Sequence, residues 1–333
     1  MLKTNNQYHV RLTSGLLILL LCAMVYDLSL GSVPISWSTI FKSIFDYEAS
    51  SSEEMTVQVF RIPRVMTAIF TGIALSIAGL LMQTLFQNPL AGPYVLGINS
   101  GASLLVALST MTGFTLFSSD VDMVTAALLG ALASGLFILF CSLYVKNKVS
   151  LLLVGIMFGS FAGALVNVVQ SYSSPDDLKL FLLWSFGSLQ NVEMGQLPIF
   201  GSVVLIGIIL SLFIIKPLNL LVLGESNASF LGVPVKFTRF SIIFITAILT
   251  GVSTAYCGPI AFVGLIVPNI AKMIYKTTNH FFLLAGTLLL GGLMIVICDI
   301  LMNLLQPILS IPLNALTALM GAPLVVWIIL KRF

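Results

Sequence analysis

Phe281-Phe-Leu-Leu-Ala-Gly-Thr-Leu-Leu-Leu-Gly-Gly-Leu-Met-Ile-Val-Ile-Cys-Asp-Ile-Leu301 contains one charged residue, Asp299, and no proline. At about 1.5 Å per helical residue, such a run crosses the roughly 30 Å hydrocarbon core of a bilayer. Nine further apolar runs lie near 13–31, 62–85, 95–112, 123–145, 150–172, 194–215, 238–257, 260–275 and 313–330. The 333-residue chain is 58% hydrophobic and 8% charged, where a soluble domain carries roughly 25% charged residues. Its mean hydropathy is +1.09. A soluble protein is excluded, and the pattern predicts an all-α polytopic membrane protein with about ten transmembrane helices. No linker or charge run divides the chain, so residues 1–333 read as a single transmembrane domain.

Charge placement orients these spans. With the N-terminus inside, eleven of the 15 basic residues fall on the cytoplasmic side, from Lys3 and Arg11 to Lys331 and Arg332. Lys42, Arg61, Arg64 and Lys179 fall outside. That is the expected positive-inside bias, and an even number of spans makes both termini cytoplasmic. The first apolar run is longer than a signal-peptide core and lacks a small-residue cleavage site. External connections are expected near 32–60, with Trp37 suited to the membrane interface, and near 173–193. Cys22, Cys141, Cys257 and Cys298 are scattered, and His9 and His280 have no partner pattern, so no metal site is expected.

Against this background several segments stand out. Leu223-Gly-Glu-Ser-Asn-Ala-Ser-Phe-Leu-Gly-Val233 is a polar island that holds Glu225, the only acid left on the cytoplasmic side. Its glycines bracket a short stretch that reads either as an amphipathic helix for a soluble partner or as a solvated connector. Arg61-Ile-Pro-Arg64 places two cations outside, against the insertion bias. They suit bidentate recognition of carboxylates, and equally the capture of lipid phosphate. Gly155, Gly159 and Gly163 repeat at helical spacing, as do Ala68, Gly72 and Ser76, which fits close helix packing. Gly92-Pro93 and Gly258-Pro259 lie on opposite faces in this topology, as two inverted five-helix repeats would leave them. Pro268 in a short span predicts a broken or re-entrant helix, and the region 257–270 is expected near a pathway. No Gly-x-x-x-x-Gly-Lys-Ser/Thr occurs, so any ATP is expected to be hydrolysed by another chain. Interior acids are too few for the relay of an ion-coupled secondary transporter, the chief rival reading.

Four ordered blocks carry a resemblance. They are Arg61-Ile-Pro-Arg64 with Gln87-Asn-Pro-Leu-Ala-Gly-Pro93, the island 223–233, Cys257-Gly-Pro-Ile-Ala-Phe-Val-Gly-Leu-Ile-Val-Pro-Asn269, and Pro312-Leu-Asn-Ala-Leu-Thr-Ala-Leu-Met-Gly-Ala-Pro323. Together they resemble the permease family that imports iron-siderophores, heme and vitamin B12 through ABC transporters. Gly92, Asn269 and Asn303 depart from the family pattern, which commonly has an acid, a histidine and, in some members, an arginine there.

The resemblance implies a permease subunit in a bacterial cytoplasmic membrane, not itself an enzyme. It would pair with a second identical or paralogous permease, two ATPase subunits that carry ATP and Mg²⁺, and an extracellular binding protein. No cofactor on this chain and no nucleic-acid partner is implied. Arg61 and Arg64 would dock acidic groups of the binding protein. Gly224, Glu225, Ala228, Leu231, Gly232 and Val233, within about 224–234, would couple to the ATPase. The fifth span would line the pathway, making Asn147, Ser150, Gly155, Gly159, Gly163, Asn167 and Gln170 gate or pathway candidates together with Pro259 and Pro268. Ferric siderophore is the cargo expected, with heme or vitamin B12 as alternatives.

Overall fold

A chain this apolar can satisfy its backbone N–H and C=O groups in lipid only through helices or a closed barrel. The computed structural model takes the first course. It describes residues 2–31, 33–45, 51–112, 122–145 and 147–332, all helical or connecting, with no strand among them. Part of the expected loop 32–60 (residues 32 and 46–50) and the basic residue Lys146 fall outside the described residues.

The chain begins with α1 (Leu2–Ser29) and a short helix α2 (Trp37–Phe45), whose Trp37, Phe41 and Phe45 stay exposed. Next come α3 (Ser52–Thr56), a π turn (Val57–Arg61) and α4 (Ile62–Phe86), which continue one another. A 3₁₀ turn (Pro93–Leu96) leads into α5 (Ile98–Thr112), α6 (Asp122–Tyr144) and α7 (Lys148–Tyr172). Then follow α8 (Pro175–Ser185), α9 (Leu197–Phe213), α10 (Ile215–Leu221) and the six-residue α11 (Glu225–Phe230). The remainder is α12 (Val235–Cys257), α13 (Val263–Tyr275), α14 (His280–Leu305) and α15 (Leu313–Arg332).

Polar side chains set several starts: Asn147, Ser174 and Asn279 accept from the first-turn amides of α7, α8 and α14. Each satisfies a donor that the helix itself cannot.

Each expected span corresponds to one of these helices, but their lengths do not establish a count of ten. Among the described residues six helices are long and apolar enough to cross a membrane. A seventh crossing arises if α9 and α10, bent by 57°, are taken together. The 13-residue α13 rises only about 20 Å. It therefore falls short of a bilayer core, although Pro268 sits within it and does not break it.

Helix α4 is the central element. It packs on α14, α12, α13 and α9, with most of its length buried. Small residues allow this. A Cβ on Gly72 would sit 2.1 Å from the Gly291 carbonyl oxygen, and one on Gly79 would sit 1.6 Å from that of Gly264. Ser76 Oγ donates to the Thr287 carbonyl at 3.0 Å. Without a hydrophobic drive between helices in lipid, such backbone approach and cross-helix bonding are what hold a bundle together. Pro268 has no N–H to offer the Gly264 carbonyl one turn earlier, and that carbonyl lies against Gly79.

The two Gly-Pro breaks approach one another inside the bundle. The Pro93 ring lies against Gly264, and Tyr94 and Pro259 line one cavity. Both breaks fold back among the helices, where Gly97 (φ +71°) and Gly258 (φ +74°) supply backbone conformations that a side chain would oppose.

Candidate functional site

Three regions gather the residues singled out by sequence, two of them held by ion pairs at opposite ends of the bundle. At one end lie the start of α7, the polar island and the start of α12. At the other lie the ends of α1 and α14 and the start of α4.

At the first end, Gly224 (φ +97°) and Gly232 (φ +84°) bracket α11. Val233 N–H donates to the Ala228 carbonyl and Gly232 N–H to the Ser229 carbonyl, both at 3.0 Å. This is the paired bond of a Schellman stop, whose usual companion is an apolar contact between the two outer residues. Ala228 and Val233 supply it and are buried. The sequence reading had offered those two to a partner, and the structure corrects that: they close the helix against the chain itself. The apolar surface left outward is Phe230, 90% exposed, and Leu231, 59% exposed, with Leu223 and Phe237 nearby. Phe230 lies two residues, or about 200° of helical rotation, from Ala228, a signal the sequence contained.

Glu225 does not point to solvent alone. Its carboxylate accepts from Arg239 at 3.1 and 3.3 Å and lies 3.6 Å from Lys148 Nζ. Arg239 also donates to the Val145 carbonyl, just beyond α6, at 3.0 Å. The reading by sequence missed both basic partners, although a lone acid among eleven cations was bound to meet some of them.

At the other end a cavity of about 440 Å³ is lined by Asp27, Arg61, Arg64, Gln190, Asp299 and Asn303, among others. The π turn before Pro63 takes up an extra residue, and Arg61 turns toward the end of α1. It is buried and donates to the carbonyls of Leu28 and Val33. Arg61 therefore does not present its guanidinium outward as the docking expectation required. Arg64 donates through Nε and Nη2 to one oxygen of Asp299, at 2.9 and 2.6 Å. Asp299 is wholly buried, while the Arg64 side chain is 17% exposed at the cavity. Asn303 Nδ2 donates to Asp27 at 3.2 Å. Asp299 was legible as an interior charge, but its partner, 235 positions away, was not.

Between these ends lies the third region. A cavity of about 560 Å³ collects Gly163, Asn167 and Pro259 from the sequence candidates, together with Tyr94, Asn99, Ser100, Ser103 and Ser160. Its lining is neutral, rich in hydroxyls and amides. Asn99 accepts from Thr254 at 2.9 Å, linking α5 to α12. The glycine stripe on α7 does not act as one surface. A Cβ on Gly155 would come within 2.4 Å of the Val95 carbonyl oxygen, one on Gly159 would meet Ser100 Oγ at 3.2 Å, and one on Gly163 would meet nothing within 4 Å. Gly155 is locked by packing, and Gly163 faces open space. Asn147 caps α7 and Ser150 is exposed beside it, whereas Gln170 lies near the far end of the helix. Pro268 is buried in α13 and is not among the residues lining this cavity. No group of three His, Cys, Asp or Glu side chains that could hold a metal occurs among the described residues.

Comparison with known proteins matches this arrangement to one family. The model of the FecCD transport family covers residues 17–331. The chain is 34% identical to the hemin transport system permease protein HmuU of Yersinia pestis, over 98% of both chains. It is 33% identical to the Fe(3+) dicitrate permease FecD of Escherichia coli K12, over 93% of this chain and 95% of that one. The vitamin B12 permease BtuC of Citrobacter koseri is 31% identical over 97% of this chain and 95% of that one. Among solved structures, the inward-facing conformation of an ABC transporter assigned to the metal-chelate type superposes with a TM-score of 0.84. It is 28% identical and covers 96% of this chain and 99% of that one. The matched region takes in the central helix, both glycine breaks, the island and the paired arginines alike, and the chain belongs to the FecCD transport family of ABC importer permeases.

Proposed function

We propose that the chain is the membrane-spanning subunit of a bacterial ABC importer that passes a ferric siderophore through a pore formed with a second permease. A separate ATPase seated on each α11 powers it. The observation that carries this reading is α11 itself: a helix closed at both ends by left-handed glycines, anchored by Glu225, with Phe230 and Leu231 facing outward. A connector has no need to expose a phenylalanine, whereas aromatic anchors in a partner's pocket dominate interface energies. The sequence offers no phosphate-binding loop of its own, so nucleotide chemistry falls to the partner.

In this reading the Glu225 end faces the cytoplasm, and a binding protein loaded with chelate docks at the Arg64 end. Arg64, at the rim of its cavity, is the docking contact, and Arg61 supports it by holding the loop after α1. The neutral cavity around Gly163, Asn167 and Pro259 belongs to the pathway. Hydroxyl and amide groups there suit a bulky chelate with little net charge. The relatives are permeases for hemin, ferric dicitrate and vitamin B12, so the cargo is a chelated metal, and iron is the common choice of two of them.

Reconstitution in proteoliposomes with the ATPase and binding protein tests the reading. ATP-dependent accumulation of a ferric siderophore is the expected result. Accumulation of hemin or cobalamin instead would revise the cargo alone, and uptake without the ATPase would overturn the importer assignment.

A further inference from the structure

Three helix starts meet at the Glu225 end: Lys148 is the first residue of α7, Glu225 the first of α11, and Arg239 lies in the second turn of α12. The starts of α7 and α12 carry the positive ends of their helix dipoles, and Lys148 and Arg239 add two full charges. One carboxylate faces both cations. Glu225 Oε1 lies 3.1 Å from Arg239 and 3.6 Å from Lys148, with the three side chains only 26%, 11% and 18% exposed. Packing joins α11 to α10 and α12, and the Glu225 carboxylate extends that connection to α7. Arg239 ties the same cluster to the end of α6 through the Val145 carbonyl.

From this geometry we infer that Glu225 is a positioning residue that makes the base of α7 follow α11 when the ATPase moves it. The inference rests on the importer reading above and adds a specific transmission element to it. Without the carboxylate, Lys148 and Arg239 repel each other across adjacent helix starts, and α7 loses its polar tether to α11. Motion imposed on Phe230 then ends at α12 and does not reach the helix that borders the cavity at Gly163. A partly buried network differs here from an exposed ion pair, whose median contribution is small.

The experiment uses the complete transporter in proteoliposomes, with ATPase and binding protein. It reads cargo imported per ATP hydrolysed alongside co-purification of the ATPase. Glu225→Gln keeps the shape and removes the charge. The expected result is normal co-purification, continued ATP hydrolysis and a ratio reduced about five-fold or more, the lower range of coupling between linked sites. Lys148→Gln breaks only the reach to α7, leaves the Glu225–Arg239 pair to hold the loop, and should lose coupling similarly. The double variant should be no worse than Glu225→Gln alone, and Lys148→Arg should retain coupling.

Spin labels at positions 150 and 229 give a readout independent of transport. In the unmodified background both shift on nucleotide trapping, and in Lys148→Gln only the label at 229 shifts. An unchanged import ratio in both single variants overturns the inference. So does loss of ATPase co-purification in Glu225→Gln, which would place the carboxylate in the docking surface. If the unaltered complex neither assembles nor transports, the importer reading itself fails, which is a distinguishable result.

Discussion

Replacing Phe230 with alanine isolates the surface that α11 offers. The side chain is 90% exposed, so it contributes almost nothing to the fold of the free chain, and its removal should stay within the roughly 0.5 kcal/mol typical of surface changes. Seated in an ATPase pocket, the same side chain would leave water almost completely. Full burial of a phenylalanine is worth about 1.5–3 kcal/mol, and truncation of a central aromatic anchor costs about 2 kcal/mol or more. Taking about 2–3 kcal/mol for each α11, and tenfold per 1.4 kcal/mol, affinity for the ATPase should fall roughly 30- to 150-fold. Immobilised permease in nanodiscs, titrated with purified ATPase, measures this directly, and a thermal melt of the permease alone provides the control. Val233→Ala should behave in the opposite sense, lowering the stability of the stop after α11 because Val233 is buried where its N–H closes onto the Ala228 carbonyl. Unchanged ATPase affinity in Phe230→Ala, with the melt also unchanged, would refute the assignment of the exposed face and return the island to the status of a connector.

Other substitutions probe the remaining assignments. Arg64→Ala leaves the wholly buried Asp299 carboxylate without its cation, which should cost about 3–5 kcal/mol. Asp299→Asn in the same background should recover most of that in thermal unfolding, and equal destabilisation with and without Asp299→Asn would argue against a paired buried charge. Gly79→Val drives a side chain into the Gly264 backbone, 1.6 Å from where its Cβ would stand. The cost should exceed the roughly 1–3 kcal/mol of ordinary overpacking, and gel filtration should show loss of the folded species. Gly163→Ala, with open space around it, should leave the protein intact, and similar behaviour of the two variants would contradict the packing described for α4. Cysteines at Ser150 in the two permeases of a transporter should cross-link in one nucleotide state and not in the other. Identical cross-linking in both would place the gate elsewhere.

The apolar helices and the shortness of α13 were legible because they depend on local composition: apolar length decides what can enter lipid, and the run that forms α13 is short wherever it packs. The convergence of the two Gly-Pro breaks was not legible, because hydropathy assigns a loop to a membrane face and cannot show it folding back between helices. The island shows the division within a few residues. Ala228, Phe230, Leu231 and Val233 looked alike in sequence, but the left-handed turn at Gly232 commits Ala228 and Val233 to the stop and leaves Phe230 and Leu231 outside. Glu225 was conspicuous as the lone acid at its end. Which cations it meets is fixed by how α12 seats on α6 and α7 on the 3₁₀ turn, through close approaches such as Gly251 on the Ala131 side chain and Gly155 on the Val95 backbone. Small residues permit an approach without specifying the partner, so a stripe of them announces a close contact while leaving its other side open. Charge pairs inherit the same ambiguity. Arg64 could as well have awaited a carboxylate on another protein, and only the placement of α14 against α4 brings Asp299 within 2.6 Å. A docking role for Arg64 therefore has to displace an internal partner, so the strength of docking should depend on what takes its place beside Asp299.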